Sequence, residues 1–164
     1  IFNFSSTTIK SKQSDAVIIM AGAAGMFPEN KKYWNSVLPK IKDNFDIANI
    51  HHISTPEGGC DKEFWVDEFA DLLKDLNINK PIWITEAMTG KCKVLTSYIN
   101  AFANGAEIII DVGINAPGIK MSKKSREKLN NFIKDFDRFK SVKIIDKKKI
   151  EFLFEDGSIK VLEY

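Results

Sequence analysis

The chain has 164 residues, 18.6 kDa, 44% of them hydrophobic and 28% charged, which is ordinary globular material long enough for one domain with a real core. Twenty-four Lys and Arg against 22 Asp and Glu leave a net charge of +2, and the basic residues fall in amphipathic segments rather than in a patch interleaved with aromatics, which argues against nucleic acid as a partner. No apolar run, that around Ala106 to Ile110 included, is long enough to cross a bilayer; the chain opens on Ile1 rather than Met, so the lack of a leader pattern assigns no compartment, with an extracellular one favoured.

In chain order, residues 16–20 form an apolar run closed by Ala21-Gly22-Ala23-Ala24-Gly25, and Trp34, Val37, Leu38 and Ile41 then recur at helical spacing. Residues 45–51 alternate in polarity as a second strand, followed by a helical face of Trp65, Phe69, Leu72, Leu73 and Leu76. The third strand opens at Pro81, where proline is tolerated, and its strong strand formers Trp83, Ile84 and Thr85 deliver Glu86 at the C-terminal end. A helix with Leu95, Tyr98, Ile99 and Phe102 on one face leads to a fourth strand over 106–110. A last helix carries Leu129, Phe132, Ile133, Phe136 and Phe139 on one face, with Ser122 as its N-cap.

The pattern is α/β: four consecutive βα units over 1–145, closed by a β-hairpin over 146–164 in which Glu155-Asp156-Gly157 forms the turn. Lys147-Lys148-Lys149 is a solvated turn. A lone hairpin is marginal in water, so it must pack on the α/β layer or belong to a β unit whose remaining strands are not in this chain.

In parallel α/β scaffolds ligands bind at the C-terminal ends of the strands, so Glu86 has a functional reading beside the plainer one of an acid at a helix start. Period-two alternation puts Ile47, Asn49 and His51 on one face of the second strand, and Ile82, Ile84 and Glu86 on one face of the third. Asp111 ends the fourth strand inside an apolar run, where an acid needs a reason. Glu29 and Glu57 read as helix-terminal or loop carboxylates. His51 and His52 point to opposite faces of a strand and make no zinc site between them. Cys60 and Cys92 fall in neighbouring loops, compatible with a disulfide or with free thiols. The small residues 21–25 lack the spacing of a dinucleotide fingerprint and are read as a loop that turns closely. Trp34, Trp65 and Trp83 are read as core, and no cofactor is implied.

Ser14-Asp15-Ala16 with the run over 17–25, the segments 45–51 and 80–86, and Gly105-Ala106-Glu107-Ile108 resemble strands five to eight of a retaining glycoside hydrolase barrel. The clan is the one whose (β/α)8 barrels carry the acid/base glutamate on strand four and the nucleophile glutamate on strand seven. Ile84-Thr85-Glu86 is the specific motif, and the closing hairpin is similar to the accessory β segment that follows such barrels. The resemblance implies that Glu86 is the nucleophile and that His51 lines the sugar-binding mouth. Asn49 and Asp111 join His51 as candidate substrate contacts, with carbohydrate as the ligand and no metal.

The chain departs from the pattern at Ile53, where the clan has a tyrosine, and at Asp111-Val112-Gly113, where it has an aromatic residue. The strand-four glutamate and its preceding asparagine have no counterpart. The expectation is therefore a half-barrel whose open face is covered by a second polypeptide segment or chain that brings the second carboxyl. Two other readings are compatible with the residues: a catalytically silent carbohydrate-binding or structural module, and a small doubly wound ligand-binding domain whose strand order would contain a switch point.

Overall fold

The structure is a computed structural model and describes residues 2–53, 65–88, 94–111, 122–136, 139–146 and 149–163. Its elements in chain order are α1 (Phe2–Lys12), β1 (Ala23–Ala24), α2 (Pro28–Ile41), β2 (Ala48–Ile53), α3 (Val66–Asp75), β3 (Ile82–Met88), α4 (Val94–Ala103), β4 (Ala106–Asp111), α5 (Lys123–Phe136), β5 (Phe139–Asp146), β6 (Lys149–Phe154) and β7 (Ile159–Glu163). The fold is mixed α/β. A four-stranded parallel sheet alternates with helices, and a three-stranded antiparallel sheet follows.

The parallel strands lie in the order β1-β2-β3-β4. Each strand pairs with the next in sequence, so this sheet contains no switch point of the kind a doubly wound domain would need. Ile50 and Ile84 are fully buried at its centre, packed in one cluster with Leu38 of α2, Phe69 and Leu72 of α3, and Ile99 of α4. Each such side chain contributes about 1.5–3 kcal/mol by leaving water. α3 ends in a Schellman cap: Asn77 takes a positive φ of 52°, its N–H donates to the Lys74 carbonyl, and the Ile78 N–H reaches back to Leu73. The buried Ile78 then aims the chain into β3.

The first strand differs from expectation. Over residues 16–20 the chain makes only an isolated parallel bridge, Ile19 to Ile47, with Met20 N–H donating to the Ile47 carbonyl. Regular pairing begins at Ala23 and Ala24. The reason lies in β2, because the Asn49 side chain, rather than a backbone N–H, donates to the Met20 carbonyl and interrupts the ladder.

α1 has no clear apolar period and was not anticipated from the sequence. It docks through Lys10, whose ammonium lies 2.7 Å from Asp46 Oδ1, while Asp46 Oδ2 accepts the Ile18 N–H at 2.8 Å.

The closing unit is larger than a hairpin. β6 and β7 form the expected pair around Gly157, whose φ is +81°. β5 adds a third strand on the other side of β6, with Phe139 opposite Phe154. Phe139 therefore belongs to β5 and not to the last helix, whose apolar face stops at Phe136. Its ring meets Phe102 at 5.2 Å and Phe152 at 5.3 Å between centroids. Phe152, fully buried, also meets Phe132 and Phe136. The expectation that the hairpin packs on the α/β layer is thus met through aromatic rings, and α5 starts after Ser122, whose carbonyl accepts the Arg126 N–H.

Phe152→Ala is expected to lower stability by about 3–5 kcal/mol in urea unfolding, as a large cavity at the joint of the two sheets requires; a loss below about 1 kcal/mol would show that the rings do not join them. A second expectation concerns acid. The Lys10 hydrogen bond, and after it the Ile18 N–H, hold the Asp46 carboxyl below its ordinary 3.8. A depressed folded value stabilises above the unfolded one and is lost as pH falls through it. Asp46→Asn should therefore flatten the acid limb of a stability-versus-pH curve below about pH 4, and an unchanged limb would remove this pair from acid unfolding.

Candidate functional site

Adjacent positions of β2 and β3 bring together Asn49, His51, Thr85 and Glu86, with Asn49 second in β2 and with β3 continuing through Ala87 and Met88 rather than ending on Glu86 as expected. The convergence depends on one irregularity. Asn49 is aligned with Trp83, but His51 is aligned with Glu86, so β3 advances three residues while β2 advances two. On its other side β3 shows the same slip, with Ile84 aligned to Ile109 and Ala87 to Asp111. Both neighbours therefore report an extra residue in β3 around Thr85, a bulge of the kind that re-aims side chains beside functional sites.

Burial records the same change of phase. Ile82 and Ile84 are buried and so is Ala87, which breaks the period of two. The expectation that Glu86 shares a face with Ile82 and Ile84 is corrected: the two isoleucines enter the core, while Glu86 turns to meet His51, and Thr85 turns the same way.

Asn49 is 4% exposed in an otherwise apolar strand centre. Its Nδ2 donates to the Met20 carbonyl at 3.2 Å and to Thr85 Oγ1 at 2.8 Å, and its Oδ1 accepts the Thr85 N–H at 3.2 Å. Such a buried carboxamide is stable only because these bonds are made. Thr85 Oγ1 in turn lies 2.9 Å from His51 Nε2. On the far side of the ring, His51 Nδ1 lies 3.5 Å from Glu86 Oε2, with the two side chains 26% and 41% exposed. A carboxylate and an imidazole thus stand at the rim, backed by a hydroxyl and a buried amide.

The loop of small residues after residue 20 closes over this ring. A Cβ built on Gly22 would overlap His51 Cδ2 and Nε2, so the approach is open only to glycine. Gly25, at φ +74°, donates its N–H to the His51 carbonyl at 3.1 Å, and Asn30 Nδ2 fastens the loop through the Ala24 carbonyl. Close turning is the role the sequence suggested for this stretch.

Asp111 ends β4 as expected, and its Oδ2 accepts the Tyr98 hydroxyl at 2.8 Å. Burial, and then the Asp111 charge, raise the Tyr98 pKa far above its ordinary 10.0, so the phenol stays a donor. Asp111 is aligned with Ala87, next to the bulge. Glu29 lies in the first turn of α2, a helix-terminal carboxylate. Glu57, Cys60, Cys92, Val112 and Gly113 lie outside the described residues. Trp65 is buried and Trp34 packs against the core. Trp83 stands beside Asn49 and Ile108, and its buried Nε1 has no hydrogen-bond partner among the described residues.

Thr85 and Gly22 are the residues of this site that sequence reasoning did not single out. Thr85 was read as a strand former within Ile84-Thr85-Glu86, and a polar residue next to an acid at a strand end is the signal it offered. Among the described residues no three His, Cys, Asp or Glu side chains cluster to hold a metal ion, and no helix is long and apolar enough to cross a membrane.

Gly22→Ala is expected to displace the His51 ring, at a cost of about 1–3 kcal/mol for overpacking a fitted site. The imidazole resonances of His51 should move together with the unfolding midpoint; a variant with unmoved resonances would disprove the close packing.

No protein-family model matches this chain, and no curated protein is similar enough to it to count as a match.

Proposed function

We propose that this chain is the part of a retaining glycoside hydrolase barrel that comprises strands five to eight, that it acts on carbohydrate when the other half of the barrel is supplied, and that Glu86 is the nucleophile. The observation that carries the reading is the Glu86 carboxylate, 41% exposed in the C-terminal half of a parallel strand and 3.5 Å from His51 Nδ1. Ligands of parallel α/β folds bind at that end. The consecutive strand order is that of successive barrel strands.

The sheet face that carries Trp83 supports a covering segment. Ile108, aligned with Trp83, and Ile110, two residues on, are both exposed, as are Val17 and Ile19 on the opposite edge. Bare apolar surface on a parallel sheet is costly unless something packs on it.

In this reading Glu86 attacks the anomeric carbon and forms a glycosyl ester, while a carboxylic acid of the other half-barrel, about 5–5.5 Å away, protonates the departing oxygen. The same second group then takes a proton from the water that cleaves the ester. His51 steadies the Glu86 carboxylate before the ester forms and again after water cleaves it.

The test uses the full-length protein and a panel of 2-deoxy-2-fluoroglycosyl fluorides, which trap the ester. A peptide containing Glu86 should gain the mass of the sugar, and Glu86→Gln should abolish labelling and lower turnover by at least about a thousandfold. Turnover unchanged in Glu86→Gln would overturn the assignment, and sugar binding with no turnover by the wild type would favour the silent binding module.

A further inference from the structure

We infer that Thr85 is a positioning residue that sets the tautomer of His51, so that the imidazole presents an Nδ1–H to the Glu86 carboxylate. The inference deepens the reading above and rests on it only for the statement that Glu86 is the reacting group.

The argument starts from the Asn49 carboxamide, whose orientation is fixed by two backbone groups. The Met20 carbonyl can only accept, so it takes Nδ2–H; the Thr85 N–H can only donate, so it takes Oδ1. The second Nδ2 hydrogen then points at Thr85 Oγ1, at 2.8 Å. With one lone pair of the hydroxyl occupied, its own hydrogen has two acceptors in reach: His51 Nε2 at 2.9 Å and Asn49 Oδ1 at 3.0 Å.

The two choices differ at the far side of the ring. If the hydroxyl donates to Nε2, the proton of the neutral imidazole sits on Nδ1, facing Glu86 Oε2. If it donates to Asn49, Nε2 must carry the proton and the Nδ1 lone pair faces an anion at 3.5 Å. A donor facing a carboxylate is attractive and a lone pair facing it is repulsive, so the first arrangement wins. Turning the ring over would put carbon atoms where Nε2 and Nδ1 now stand and lose both the Thr85 and the Glu86 contacts. The chain therefore runs in one direction: Asn49 donates to Thr85, Thr85 donates to His51, and the His51 Nδ1–H faces Glu86 Oε2 at 3.5 Å.

Long-range proton–nitrogen spectra of the 15N-labelled full-length protein report the tautomer of each histidine directly, and the His51 signals are those lost in His51→Gln. The spectra are taken above the histidine titration seen in the same samples. The wild type is expected to carry its proton on Nδ1. Thr85→Val, which keeps the shape and removes the hydroxyl, should move His51 to the other tautomer or to a mixture, and Thr85→Ser should restore it. In turnover, Thr85→Val should lower kcat by about tenfold to a hundredfold with KM nearly unchanged, again with recovery in Thr85→Ser.

A wild type protonated on Nε2 would overturn the inference without any variant, which covers the case in which Thr85→Val fails to fold. So would a Thr85→Val spectrum identical to the wild type. If the tautomer responds as expected and no sugar ever labels Glu86, the positioning role stands and the glycosidase reading falls.

Discussion

A parallel ladder with an extra residue on one strand leaves backbone groups without partners, and the carboxamide of Asn49 resolves this on both sides of β2 at once. Towards β3 its Oδ1 takes the N–H of Thr85, inside the bulge; towards β1 its Nδ2 takes the Met20 carbonyl, where regular pairing lapses. Unpaired buried backbone groups cost about as much as a lost hydrogen bond each. One buried amide thereby permits two neighbouring departures from regularity, and without it neither Glu86 nor the Gly22 loop has its present position.

Stability is supplied elsewhere. Phe102 lies in the last turn of α4, beside the start of β4, so the rings of Phe102, Phe132, Phe136, Phe139 and Phe152 gather at the opposite end of the parallel sheet from Glu86. They join the antiparallel sheet to the parallel one without touching the site. Substitutions at the two ends share no partners and should act independently on stability. The division is familiar in parallel α/β folds, where one end of the strands serves the ligand and the other the fold.

Much of this was legible in the residues. The four helical faces and the last three apolar runs are local patterns, and each produced an element close to its expected place, whereas the first run formed only an isolated bridge before pairing began at Ala23. The errors lie where pairing, not pattern, decides. Period-two counting assumes that no residue is inserted, so it put Glu86 with Ile82 and Ile84; only the registers of β2 and β4 against β3 reveal the bulge. Phe139 continued the helical spacing of Phe132 and Phe136, yet cross-strand pairing with Phe154 drew it into β5. The meeting of His51 and Glu86 was legible because both lie towards the C-terminal ends of adjacent strands, and Asn49 joins them because period-two alternation puts it on the His51 face. The Tyr98 hydroxyl on Asp111 was not, because a tyrosine on an apolar helix face reads simply as core.

The site grades from constrained to free along its length. Asn49 is buried with both of its polar atoms engaged, Thr85 is held from two directions, and His51 is a quarter exposed against Gly22. Glu86, the most exposed of the four, meets the imidazole at a distance longer than a short charge-assisted bond. At such exposure the ion pair itself adds little to stability, so the position of Glu86 follows from the bulge and the buried amide rather than from its attraction to His51. That ordering suits a reacting carboxylate. A group gripped by several strong donors would be stabilised in its resting state and made a poorer nucleophile, whereas one positioned through its backbone keeps its oxygens available, as the role proposed for Glu86 requires.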